Sequence, residues 1–235
     1  MFHGDDFGRL TFVLYIYSLI ILICLTLQPH GYTSNPMNSW NNTDRPLILA
    51  SRSLRRKNIL ESMGFNFSVV YPLLENEERL INRNELAGSI QKLALHKGMS
   101  VAHMYKSSCI FSGDTIVAVN GRIIGKPSSM DDARQMLRTL SGKSHKVFSG
   151  VALVCKEIDF SESAIECTDV YFREITDREI DDYLQTDEYA DKAGAYAIQG
   201  KAMAFIDKIN GCFYNVMGLP VSKKINLLKA YQKRK

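Results

Sequence analysis

One stretch leaves this chain few choices of fold: Leu47-Ile48-Leu49-Ala50-Ser51-Arg52-Ser53-Leu54-Arg55-Arg56-Lys57-Asn58-Ile59-Leu60-Glu61-Ser62-Met63-Gly64. It begins as a short apolar run and reads as a buried strand. It breaks at a Ser-x-Ser turn and resumes with helical spacing, with Ile59, Leu60 and Met63 on one face. Ser53 suits an N-cap and Gly64 the position just past the helix end. The first turn of that helix carries Arg55, Arg56 and Lys57 beside the hydroxyls of Ser51 and Ser53. A helix N-terminus offers unpaired N–H groups and partial positive charge, so cations gathered there repel the dipole unless an anion joins them. The cluster therefore suits a polyanion such as a phosphate chain. The alternative is a capped helix whose basic first turn is merely solvated.

The 235 residues are 46% hydrophobic with a net charge of +4, which fits one sizeable or two small domains with a real core. Much of the positive charge sits in the tail Lys229 to Lys235, so the balance does not argue for nucleic acid. Cys24, Cys109, Cys155, Cys167 and Cys212 form no CxxC pair and no zinc-ligand spacing, and read as free thiols of a reducing compartment. Leu10 to Leu27 is uncharged and mostly apolar, near the lower limit for a membrane span. Asp5, Asp6 and Arg9 precede it, not the basic start of a signal peptide. The segment reads as a single-pass membrane anchor, with a start of translation further downstream as the rival reading. Pro29 to Pro46 is a polar linker. Residues 1–45 are thus set apart as hydrophobic segment and linker, and 46–235 as the folded domain.

Further along, Phe67 to Tyr71 reads as a second strand, followed by the acidic loop Glu75-Asn76-Glu77-Glu78. This is either a solvated turn or a source of metal-binding carboxylates. Glu85 to Tyr105 reads as a long helix with Ile90, Ala94, Lys97 and Val101 on its inner stripe, where Lys97 either snorkels or reaches into a cleft. Cys109 to Val119 reads as a strand interrupted by Gly113-Asp114-Thr115. A carboxylate in that setting is expensive unless it is paired, binds metal or does chemistry. Asn120-Gly121 predicts a hairpin. Gly125-Lys126-Pro127 is no P-loop, since Pro127 stands where Ser or Thr must be, but Lys126 remains a candidate phosphate contact. Ser129 with Asp132, and Thr176 with Glu179, predict capping boxes. Val147 to Cys155 and Ala164 to Ile175 predict strands. Ala204 to Ile209 and Cys212 to Val216, joined by Asn210-Gly211, predict a second hairpin. A last helix follows, with Val221, Ile225 and Leu228 inward. In the small-residue loop Asp191 to Gly200, Gln199 either reads a base edge or satisfies a turn. No G-x-S-x-G elbow accompanies His145, which argues against a hydrolase triad. Strands alternating with helices predict an α/β fold, a mixed twisted sheet flanked by helices.

Taken in order, Leu47–Lys57, Gly113-Asp114-Thr115, Gly125-Lys126-Pro127, Leu140-Ser141-Gly142, Asp191–Gly200 and Asn215–Pro220 resemble the motifs of the Maf family of nucleotide pyrophosphatases. The resemblance spans about Leu47 to Leu228. It implies two lobes around a deep cleft, a homodimer, a cytoplasmic catalytic domain, and a divalent ion, magnesium or manganese. It implies hydrolysis of dTTP and UTP, and of modified pyrimidine nucleotides, to monophosphate and pyrophosphate. Asp114 would be the proton acceptor and a metal ligand, and Arg55, Thr115 and Gln199 the specificity positions. Arg55, Arg56, Lys57, Lys97 and Lys126 would bind the triphosphate, with Ser51 and Ser53 shaping its site. Two positions depart from the family pattern: Leu54 replaces a proline, and an ungapped match puts Asn76 where a glutamate belongs, with Glu75 and Glu77 beside it. Glu75 is the second expected metal ligand. The Asn76 departure supports an alternative, a nucleotide-binding regulator with little turnover.

Overall fold

The opening strand–turn–helix forms as its residues dictate. β1 (Leu47–Ala50) is buried along its whole length. In α1 (Leu54–Ser62) the Ser53 hydroxyl accepts the Arg56 N–H at 3.4 Å. Gly64 takes φ +74° and donates its N–H to the Glu61 carbonyl, which closes the helix end. The first turn itself holds no acidic residue beside its cations. The computed structural model describes residues 43–74 and 77–234, the side chain of Glu78 excepted. The membrane anchor expected at Leu10–Leu27 lies outside them, as do Glu75 and Asn76. Among the described residues no helix is long and apolar enough to cross a membrane.

Among the described residues the sheet has seven strands, and β1 lies near one side of it. β2 (Ser68–Val70) and β3 (Cys109–Val119) flank β1, both parallel to it. β5 (Ser144–Cys155), β6 (Phe160–Phe172) and β7 (Ile206–Asn210) follow antiparallel, and β4 (Arg122–Ile124) returns along β3. Asn120 and Gly121 turn that hairpin with φ of +49° and +74°, the pair of left-handed residues that a tight β-turn of this hand needs. The expected mixed sheet flanked by helices is therefore present.

Alternation along β3 sorts its side chains between two faces. Ile110, Ser112, Asp114 and Ile116 look toward α2 (Leu86–Ala102), where Ile110 joins Ile48, Ala50, Val101 and Val154, and Ile116 joins Ile90 and Leu93. The Ser112 hydroxyl donates to the Ala94 carbonyl at 2.6 Å across that contact. Phe111, Thr115 and Val117 look the other way. There α1 and α6 (Val221–Lys233) cover Leu49, Phe111 and Leu153, while α3 (Met130–Leu140) and α4 (Asp177–Leu184) cover Val117, Val147 and Val170.

One break in the strand pairing positions everything that follows. β1 pairs with β3 as far as Ala50 opposite Ser112, and β4 takes the same edge from Val117 onward. Among the described residues Gly113, Asp114, Thr115 and Ile116 have no strand neighbour on that edge, although β5 continues along the other. The chain leaving β1 turns into α1 beside this opening.

Three expectations are corrected. Cys212 to Val216 is no strand: α5 (Phe213–Met217) forms there. The reason is Asn215, whose buried side-chain amide donates to the Val147 carbonyl and the Thr168 hydroxyl and so holds the segment against the ends of β5 and β6. The strand expected from Ala164 begins earlier, at Phe160. The second half of the Ser129–Asp132 box is displaced: Ser129 caps the Asp132 N–H, but the Asp132 carboxylate accepts from Ser128 instead. The Thr176–Glu179 box is complete.

The last helix holds a lysine that its apolar spacing did not disclose. Lys224 is fully buried, lies against the face of Phe65, and its ammonium has no hydrogen-bond partner among the described residues. Burial pulls its pKa down from 10.5 to about 6. The folded protein therefore holds Lys224 neutral at pH 7, while the unfolded chain takes up a proton there. This penalty is absent above pH 10.5, grows as pH falls toward 6, and is constant below. Lys224→Met is expected to raise stability by roughly 2–4 kcal/mol at pH 7 in urea unfolding, with the gain shrinking toward pH 10.

Candidate active site

A cavity of about 800 Å³ opens where β3 lacks its neighbour. The turn after β1 contributes Ser51, Arg52 and Ser53, and α1 contributes Leu54, Arg55 and Arg56. Asp114 and Thr115 come from β3, Lys97 from α2, and Lys126 from the loop after β4.

Arg56 is the innermost of these. It is only 7% exposed, and its guanidinium donates to the Gly218 carbonyl at 2.9 Å, the Ser51 hydroxyl at 3.1 Å and the Thr115 hydroxyl at 2.9 Å. All three acceptors are neutral, so the buried charge is hydrogen-bonded but not matched by a salt bridge among the described residues. Burial lowers its pKa, and Asp114 partly offsets that at longer range. Thr115 in turn shares a 2.8 Å hydrogen bond with Ser149, which donates to the Asn215 carbonyl at 3.3 Å. Gly113 makes room for this arrangement, since a Cβ there would stand 2.9 Å from the Gly150 carbonyl oxygen and 3.4 Å from Arg56 Nε.

On the α2 side, the Lys97 ammonium donates to Asp114 Oδ1 at 2.6 Å and pairs with Glu77 Oε2 at 2.8 Å. Lys97 is buried and points into the cavity, so of its two expected orientations the inward one is realised. Nearer the mouth, Lys126 pairs with Asp191 at 3.6 Å. The Lys192 pKa is lowered by burial first and by Arg55 next, with Lys126 adding to this and Asp191 opposing it. Arg55 is lowered by burial and raised again by Tyr196 and Asp191.

Of the residues expected to form a site, the structure brings together Ser51, Ser53, Arg55, Arg56, Lys97, Asp114, Thr115 and Lys126. Two stand elsewhere. Lys57 turns outward from α1 and pairs with Glu61 one turn along, at 3.6 Å. This is the geometry of a helix, where Lys57 cannot face the same side as both Arg55 and Arg56. Gln199 is exposed and does not line the cavity. The expected metal ligand Glu75 lies outside the described residues. Glu77 stands in the cavity, two positions further on. Lys192 and Tyr196 also line it; the sequence signals were a cation and an aromatic in a loop of otherwise small residues.

The profile of the Maf-like protein family matches residues 46–231, the span that carries all of this geometry. The chain belongs to the Maf-like family. A dTTP/UTP pyrophosphatase of Halalkalibacterium halodurans is 44% identical over 187 residues, 80% of this chain and 96% of that protein. Proteins of the same description from Bacillus cytotoxicus and Bacillus cereus are 42% and 41% identical over the same shares. A solved structure of a HAM1 protein from Coxiella burnetii aligns with 81% of this chain and 100% of its own at 11% identity, with a TM-score of 0.38, too slight a likeness to build on. Within this Maf-like site Gly113→Ala is expected to cost about 1–3 kcal/mol in urea unfolding, because the new methyl meets a backbone oxygen that cannot yield.

Proposed function

We propose that this chain hydrolyses dTTP and UTP to the monophosphate and pyrophosphate. The observation that carries the reading is the Asp114–Lys97–Glu77 constellation set against the buried, unneutralised Arg56 in one cavity. The relatives described as dTTP/UTP pyrophosphatases support it.

A triphosphate brings about four negative charges, which charge-assisted donors hold best. Arg56, Lys97, Lys126 and Lys192 surround the cavity with cations, and the α1 N-terminus adds its dipole. Asp114 gives one carboxylate oxygen to Lys97. Its other oxygen takes the proton from the water that attacks the α-phosphorus. The new bond joins that water oxygen to the α-phosphorus. The bond from the α-phosphorus to the bridging oxygen breaks, and pyrophosphate leaves with the electron pair. Lys97 and Lys126 stabilise the charge that grows on the phosphate oxygens as this happens.

Among the described residues no group of three or more His, Cys, Asp or Glu is placed to hold a metal ion. Asp114 and Glu77 nevertheless stand side by side, each engaging the Lys97 ammonium through one oxygen, Oδ1 and Oε2. Two carboxylates completed by phosphate oxygens are a donor set that suits magnesium, so these residues fit the ion and would hold it. When bound, it would polarise the phosphate and lower the pKa of the attacking water. A homodimer and a cytoplasmic location belong to the same reading.

The test is incubation of residues 46–235, the span that contains the matched family domain, with each NTP and dNTP and magnesium or manganese, reading monophosphate and pyrophosphate. UTP and dTTP are expected to be turned over in preference to the purine nucleotides. Asp114→Asn is expected to reduce kcat by about 10²–10⁴-fold with the melting temperature little changed. Full activity in that variant would remove Asp114 from the chemistry. Substrate binding without turnover by the wild type would favour the regulator.

A further inference from the structure

The cavity is chemically divided. Arg56, Lys97, Asp114 and Glu77 occupy one part, while Val117, Val147, Ala193 and Tyr196 back another, where the apolar cluster under α3 and α4 reaches the cavity wall with little surface exposed, 4% for Tyr196. A nucleoside triphosphate is divided in the same way, into a charged chain and a flat, uncharged base.

Tyr196 is held with unusual care for a residue of a loop. Gly194 and Ala195, just before it, have φ of +75° and +59°, and the Gly194 N–H is tied to the Gly125 carbonyl at 2.9 Å. Its ring meets Phe172 edge-on at 4.9 Å and His145 edge-on at 5.3 Å. Its hydroxyl shares a 2.8 Å hydrogen bond with His145 Nε2. His145 is 2% exposed, and its other nitrogen, Nδ1, has no partner among the described residues. A buried imidazole with one of its two nitrogens unsatisfied costs stability that a phenylalanine of similar shape would not. Its one polar bond goes to Tyr196. Burial holds the His145 pKa down at about 4 and pushes the Tyr196 hydroxyl far up, so both stay neutral and the bond persists across physiological pH.

We propose that the small part of Tyr196 left exposed in the cavity is where the nucleotide base makes contact, and that His145 is the residue that positions it. The inference rests on the nucleotide reading of the cavity and says where in it the base lies. Arg55, which senses the Tyr196 hydroxyl electrostatically, then stands at the base end with its donors available to base carbonyls. The triphosphate extends from there toward Arg56, Lys97 and Asp114. A ring of fixed position gives the site a contact to the base that is independent of its phosphate contacts.

The test compares two probes by calorimetry: the non-hydrolysable α,β-methylene analogue of UTP, and inorganic tripolyphosphate, which has no base. Tyr196→Ala is expected to weaken the UTP analogue about fivefold, through the lost contact to the base, and to leave tripolyphosphate within about twofold. His145→Phe keeps the ring packing but loses the hydrogen bond, and is expected to weaken the analogue about threefold with tripolyphosphate unchanged. Tyr196→Phe removes the same bond, so the double variant His145→Phe/Tyr196→Phe is expected to be no weaker than either single one. Equal weakening of both probes would reduce Tyr196 to a structural role and overturn the proposal. So would an unchanged affinity for the analogue, or a wild type that binds both probes alike. A base-dependent loss in a protein that releases no pyrophosphate would leave this inference standing and defeat the hydrolytic one.

Discussion

Arg56 carries the constraint on which the rest of this site depends. It is a buried cation whose three hydrogen-bond partners are all neutral. Satisfying its N–H groups removes most of the penalty of burial but leaves the charge itself unmatched. Those three bonds also fasten together the turn after β1, the centre of β3 and the segment that leads into α6. A residue that so firmly joins three distant parts of the chain, and still has charge to spare, gives an anion a place that is already built. Preorganisation of this kind lowers the ordering cost of binding and supplies a fixed field for charge that develops during reaction.

The opening in the sheet explains why Arg56 and Asp114 can serve one ligand although they belong to opposite faces. Thr115, the partner of Arg56, and Asp114, the partner of Lys97, are consecutive on β3 and must point in opposite directions. In an unbroken sheet a ligand would meet only one of them. Because β1 ends opposite Ser112 and β4 ends opposite Val117, that edge of β3 is bare between them among the described residues, and a molecule lying there reaches both faces. The mixed sheet supplies this break through its topology: a parallel neighbour that stops to turn into a helix, and an antiparallel one that starts after a hairpin.

Local chemistry made much of this readable from the chain. The Ser53 cap, the Gly64 stop, the Asn120-Gly121 hairpin and the Thr176–Glu179 box depend on neighbours a few residues away, and each forms as expected. The anomalous Asp114 in an apolar strand and Lys97 on an apolar stripe proved to be partners. The misses share a cause in contacts distant along the chain. Asn215 turns an expected strand into a helix because it finds Val147 and Thr168. Lys57 looked equivalent to Arg55 and Arg56 in a basic run, yet a helix rotates successive residues by about 100°, which sends it to Glu61. Glu77 joins the site from the loop two positions beyond Glu75, which lies outside the described residues. Tyr196 stood out only as an aromatic among small residues, because its hydroxyl finds its partner in His145, fifty-one residues away.

The most direct measurement is a crystal structure of the protein with the α,β-methylene analogue of UTP and magnesium. The account predicts the α-phosphorus within reach of a water held by Asp114, phosphate oxygens on Arg56 and Lys97, and the uracil ring against Tyr196. A triphosphate chain seated away from the bare edge of β3, with Arg56 and Asp114 untouched, would contradict it.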